Sequence, residues 1–276
     1  MNYKIVTDSS SNLSSLKDVN FSVVPLKIIT TNNEYTDSEN LNIEAMLEEI
    51  KASKDLNTKL ATTKEAWLEA FGDADFIFGV TFTSHLSNSF EVAREAKAIY
   101  EKQNPLKKVF ILDSLSAGPE IQLIISKIEE LIKLKKSYTE IRNSIMDYRQ
   151  RTRLMFTLPT IETITNYSRI NPAIAKHASS LGYRILGKAS FEGNFISTRI
   201  CHGQKNTFKK LIEEIKSSGY RGGRLVISHT DNEKSALNLK ALLTEAFGNV
   251  QIDIMKNGGL CSYYTKMGGI FVGYEI

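Results

Sequence analysis

Short apolar runs alternate with longer stretches of helical periodicity through the first half of the chain. YKIV, SVVPLKI, FIFGVTF and KVFIL read as strands, whereas IEAMLEEI, FEVAREAKAIY and EIQLIISKIEELIKL carry apolar positions three and four apart. A strand followed by a helix, repeated, is the signature of a parallel sheet covered on both faces. Ile121, Ile124, Ile125, Ile128, Leu131 and Ile132 form one such helical stripe, most simply a core face. Ser137 and Glu140 have capping-box spacing and open a further helix through Met146. The basic end of that helix, YRQRTR, marks a domain boundary.

The second half has a different pattern. RLMFTLP reads as a strand, TIETITNYSRI and AIAKHASSLG as short helices, and YRILGKASFEGNFISTRI as two strands around a turn at Glu192, Gly193 and Asn194. A helix over 207–216, strand RLVIS, helix KSALNLKALLTEAF, strand VQIDIM, a glycine-rich loop and a final strand GIFVGYEI follow. The expected architecture is α/β in two domains: an N-terminal parallel-sheet domain over 1–150 and a C-terminal mixed-sheet domain over 151–276, with a ligand at their junction.

Three first-half strands run directly into polar loops: KIVTDSSS, FIFGVTFTSHLSNS and VFILDSLSAG. In a parallel sheet the strand carboxyl ends share one edge, and ligands sit in the crevice there. The helix after the second loop begins near Ser89, so its free N–H groups and dipole favour an anion. The hydroxyls of Ser84, Ser87 and Ser89 and the amide of Asn88 add donors suited to a carboxylate or phosphate. The plainer reading is that Ser87 or Ser89 only caps the helix.

Composition narrows the field. Hydrophobic residues make up 42% and charged residues 24% of the 276, as in ordinary globular proteins. The formal charge of +4 is interleaved with acids, which argues against a nucleic-acid partner. With only Cys201 and Cys261, no evident leader and no long apolar run, a cytoplasmic protein is expected.

Several chemistries lack their signatures. Neither G-x-x-x-x-G-K-[ST] nor a strand-linked G-x-G-x-x-G occurs, so the chain is not expected to hold ATP or a dinucleotide. Cys201-His202 has no partner pair at ligand spacing, so no metal is expected. His85 lies near Ser87 without a nucleophile elbow, and Cys261 with His229 leaves a thiol enzyme open, so a Ser- or Cys-dependent hydrolase or transferase is the rival reading. NGGLCSYYTKMGG is either a close-approach loop at the crevice or a turn between two strands.

The ordered set KIVTDSSSNL, VVPLKI, EYTD, TSHLSNSFEVA, VFILDSLSAG, RTRLMFTLPTIETITNYSRI, ISHTDNE and MGGIFVGYEI resembles the DegV family of fatty-acid-binding proteins across the whole chain. The resemblance implies a non-enzymatic carrier that encloses one long-chain fatty acid and presents its carboxylate to a separate ATP-dependent, dihydroxyacetone-kinase-like fatty-acid kinase. It implies no cofactor beyond the bound lipid, transient contact with a membrane surface, and a monomer. Ser87 takes the place of the family's carboxylate-contacting serine, with Asn88 where a glycine is usual. Thr58 or Thr62 takes the place of a second contact, one alignment putting Lys59 there, and Tyr264 stands where the family has a histidine. Arg169 corresponds to the family's kinase-facing arginine. The stripe at 121–132 and AIAKHASSLG are then either tunnel lining or plain core.

Overall fold

The computed structural model describes residues 2–53, 58–159 and 182–276. Strands β1 (Tyr3–Asp8), β2 (Asn20–Val24), β6 (Phe76–Thr81) and β7 (Lys108–Asp113) form a parallel sheet in the order β2-β1-β6-β7. Helix α2 (Lys64–Phe71) and helix α3 (Ser89–Gln103) cover one face, burying Trp67, Phe71, Ala93 and Ala96 against Val6, Ile77 and Val109. The opposite face carries Ile5, Phe78 and Val80 against helix α4 (Pro119–Lys133). This is the arrangement that the alternating pattern dictates.

Helix α5 (Tyr138–Gln150) begins at the expected capping box: Ser137 Oγ accepts from Glu140 N–H at 3.4 Å and Glu140 Oε2 accepts from Ser137 N–H at 2.9 Å. A second, six-stranded sheet then runs in the order β10-β9-β8-β13-β11-β12. It comprises β8 (Thr152–Leu158), β9 (Tyr183–Ala189), β10 (Phe195–His202), β11 (Leu225–His229), β12 (Ile252–Lys256) and β13 (Ile270–Glu275). It is mixed: β11 and β12 pair parallel, and the other neighbours pair antiparallel. One face is covered by α6 (Gln204–Ser217) and α7 (Glu233–Phe247), whose Phe208, Leu211, Leu239 and Leu243 pack on Met155, Ile227 and Val272. The other face looks toward the N-terminal half.

Two differences from the sequence pattern have clear causes. The run SVVPLKI is broken at Pro25, whose ring removes a ladder donor, so β2 ends at Val24 and β3 (Lys27–Ile29) joins another sheet. That sheet, β4-β3-β5, adds β4 (Glu34–Thr36) and β5 (Lys59–Ala61), strands too short to display a period. α1 (Ile43–Ser53) lies between β4 and β5 in the chain and lends Met46, Leu47 and Ile50 to the apolar cluster that also holds Ile28. The glycine-rich loop is also more than a turn, since Gly259–Thr265 forms helix α8.

The stripe on α4 is core. Ile121, Ile124, Ile125 and Ile128 are at most 1% exposed and share a cluster with α5 and the parallel sheet. α4 also crosses β13 so closely that a Cβ on Gly273 would lie 2.6 Å from the Pro119 carbonyl carbon and 2.7 Å from Glu120 N. Gly273→Ala should therefore destabilise the chain by about 2 kcal/mol through overpacking. The check is a lower urea midpoint with an unchanged m-value; an unchanged midpoint would mean that α4 shifts freely on β13.

Candidate functional site

Polar segments meet where the parallel sheet faces the mixed one, and acidic side chains, three of them buried, organise the meetings. Asp8, the last residue of β1, is fully buried. Its Oδ2 accepts from Phe82 N–H at 2.8 Å and from the Ser89 hydroxyl at 2.6 Å. Its Oδ1 accepts from Ser10 N–H at 3.2 Å and from the Ser10 hydroxyl. Phe82 is the first residue past β6 and Ser89 opens α3, so one oxygen atom fixes both ends of the loop over 82–89. Asp113 ends β7 and holds the middle: its Oδ1 accepts from Ser84 N–H at 3.2 Å and Leu115 N–H at 3.0 Å.

Asp37 follows β4 and reaches the other half of the molecule. Its two oxygens accept from Gly259 N–H at 2.6 Å and Leu260 N–H at 3.0 Å, the first free donors of α8. Asn12 accepts from Gly258 N–H at 2.8 Å beside it. Glu120, in the first turn of α4, accepts from the Ser116 hydroxyl at 2.5 Å and the Thr152 hydroxyl at 2.8 Å, tying α4 to the start of β8. Burial raises the pKa of Asp8, Asp37 and Glu120; for Asp8 it outweighs the bonds from Ser10, Ser89 and Phe82 and carries the group up to about 6.

The tip of the β9–β10 hairpin closes over the same loops. Thr83 Oγ1 donates to Gly193 O at 2.9 Å, and Thr83 N–H donates to Ser116 O at 3.1 Å. Gly193 sits at φ +89°, and a Cβ there would lie 2.3 Å from Thr83 Oγ1, so only glycine allows this approach. Beneath the tip lies a group of rings. Phe82 and Tyr264 are 5.5 Å apart between centroids, Phe195 and Tyr264 5.7 Å, and Phe156 and Phe195 5.7 Å. They belong to an apolar cluster with Leu26, Met46, Leu154, Leu158 and Phe271, flanked by Leu60 and Leu86.

The chain matches the DegV family, described as "uncharacterised protein, DegV family", over residues 2–275. This chain belongs to the DegV family. A DegV domain-containing protein of Streptococcus gordonii is 35% identical over 280 residues, covering 100% of each chain. A DegV family protein from Eubacterium eligens, solved loaded with heptadecanoic acid, superposes with a TM-score of 0.93 at 35% identity over 99% of each chain. The Streptococcus pneumoniae Fatty Acid Kinase B3 protein, solved loaded with linoleic acid, gives a TM-score of 0.92 at 33% identity over 100% of each chain.

Within this DegV fold the candidate residues sit on three elements that abut the one apolar cluster. Ser87 is half-buried beside Leu86, and its Oγ accepts from Ser89 N–H at 2.9 Å. Asn88 is exposed and occupies the N-cap of α3 without a side-chain capping bond. Thr58 and Thr62, each 8% exposed, flank β5; strand alternation puts them on the face of Leu60, which meets the cluster. Among the described residues, Thr62 Oγ1 is buried with no hydrogen-bond partner. Tyr264 lies on α8 within the ring group, 5% exposed. Arg169 and the AIAKHASSLG segment lie outside the described residues.

The thiol reading finds no support. Cys261 is buried, its Sγ donates to Ser10 O at 3.3 Å, and burial with the nearby Asp37 charge pushes the thiol well above its ordinary range. His229 is 2% exposed, with Nδ1 accepting from Asn232 N–H at 3.1 Å. Among the described residues there is no group of three or more His, Cys, Asp or Glu placed to hold a metal, and no helix long and apolar enough to cross a membrane. Sequence reasoning missed Asp8, Asp37, Asp113 and Thr83. The available signal was an acid at or just after a strand end in VTDSS, EYTD and ILDS.

The raised Asp8 value has a thermodynamic consequence of definite sign. A carboxyl that holds its proton more tightly when folded contributes stability that is fully present below about pH 4 and lost as pH rises through about 6. Between about pH 4 and 7.5, wild type should lose about 3 kcal/mol relative to Asp8→Asn, read by urea unfolding at each pH. A constant difference across that range would show that the donors offset burial completely.

Proposed function

We propose that this chain binds one long-chain fatty acid at the junction of its N-terminal and C-terminal halves and presents the carboxylate to a separate ATP-dependent fatty-acid kinase. The observation that carries the reading is end-to-end likeness, at TM-scores of 0.93 and 0.92, to two DegV proteins loaded with fatty acids, one of them called a fatty acid kinase protein. In this reading the chain divides near residue 150 into two domains, acts as a carrier and leaves phosphoryl transfer to its partner. It works in the cytoplasm as a monomer that touches membranes transiently.

The chemistry of the site favours an acyl ligand. Burying a tail of about 14 methylenes contributes on the order of 11 kcal/mol gross at ~0.8 kcal/mol per CH₂, whereas a hydrogen bond to a charged head adds ~1.5 to 3 kcal/mol. The tail therefore sets affinity and the head group sets register. The ring group with Leu60, Leu86 and Leu158 offers the apolar surroundings. For the head, Ser87 keeps a hydroxyl hydrogen to donate while its oxygen accepts from Ser89 N–H. Thr62 supplies the second hydroxyl, and Thr58, Asn88 and the Tyr264 phenol complete the candidate set.

Organic extraction of the purified protein followed by mass spectrometry should release about one long-chain fatty acid per chain. Absence of such lipid, together with no uptake of added fatty acid, would overturn the proposal. In a kinase-coupled assay Ser87→Ala should lower acyl-phosphate formation about tenfold while the lipid content of the protein is retained. Loss of both in equal proportion would reduce Ser87 to a structural role.

A further inference from the structure

We infer that Ser89, held by the buried carboxylate of Asp8, is a positioning residue that aims the Ser87 hydroxyl at the head group of the ligand. The inference rests on the fatty-acid reading and adds to it a residue that touches no ligand.

The geometry departs from a plain helix cap. An ordinary N-cap side chain would accept from the second or third helical N–H, but Asn88 at that position makes no such bond. Instead Ser87, one residue further out, accepts from the N–H of Ser89, the first helical residue, at 2.9 Å. Ser89 is 0% exposed, and its own hydroxyl turns inward to Asp8 Oδ2 at 2.6 Å. The same oxygen takes Phe82 N–H from the other end of the loop. Ser89 therefore bonds inward through its side chain and outward through its backbone, and it cannot rotate without breaking the inward bond.

The polarity of the chain of bonds sets what Ser87 can do. A serine hydroxyl carries one donor and two acceptor sites, and the Ser89 N–H engages the oxygen on the helix side. The hydrogen of Ser87 is left to donate, which suits a ligand oxygen. The Ser89 hydroxyl is turned inward, donating to Asp8, and the structure shows the Ser87 oxygen bonded to the Ser89 N–H and not to the Ser89 hydroxyl. Asp8 pairs with no cation among the described residues, and four donors from Ser10, Phe82 and Ser89 surround it. A buried acid so placed persists only when its donors are all made, so the loop is held in one arrangement.

The test compares two ligands of equal tail, palmitic acid and 1-hexadecanol, by competition against a fluorescent fatty-acid probe. A merely structural role weakens both alike, whereas a positioning role moves their ratio. Wild type should prefer the acid, and Ser89→Ala should cut that preference about fivefold while hexadecanol affinity stays within about twofold. Asp8→Asn has one oxygen and one NH₂ for two pairs of donors and should cut the preference in the same direction, which keeps the inference testable if Ser89→Ala fails to fold. An unchanged ratio in a folded variant, or a rise in acid preference for Asp8→Asn, would overturn the positioning role. If wild type binds neither ligand, the fatty-acid reading itself fails; if wild type discriminates and the variants do so equally, only the present inference fails.

Discussion

A carboxylate removed from water must be surrounded by donors, and that requirement shapes the junction of this molecule. Asp8, Asp37 and Glu120 are all buried and rely on N–H and O–H groups brought in from elsewhere. Each set includes donors from a segment distant in sequence: the loop after β6, the start of α8, and the start of β8. Burying an uncompensated carboxylate would cost several kcal/mol, so the native arrangement is the one in which these segments meet. The polar loops are fixed from behind by acids.

Much of this organisation is legible in the sequence because it follows from periodicity. The parallel sheet, the helices on it, the capping box at Ser137 and the hairpin turning at Gly193 all follow from alternation, spacing and turn chemistry. The three-stranded sheet is not legible, since β4 and β5 are each three residues long and a period cannot show in three. Helix α8 escapes notice because its glycines read as a loop; its start is stabilised by Asp37, more than two hundred residues earlier. For the site, the serines of the 82–89 loop announce themselves, whereas the acids behind them look like ordinary turn residues. What a side chain caps or clamps across such a separation depends on tertiary pairing, which a single sequence does not carry.

In the proposed reading the apolar and polar parts of the candidate site do different physical work. An apolar cluster is indifferent to orientation and rewards only removal of hydrocarbon from water, so it cannot by itself put a head group in register. Directional bonds do that at modest energy, provided the groups that make them are immobile before the ligand arrives. The acids behind the 82–89 loop and the glycine contact of the hairpin tip meet that condition.

Helix α4 has the widest influence on how the chain is put together. It rests against the parallel sheet through Ile121 and Ile124 and against β13 at Gly273, so it is shared property of both layers. A chain severed between α5 and β8 would leave each fragment with a raw surface where the other had been. The two halves thus depend on each other in folding, because the face of α4 toward β13 is covered only where both are present.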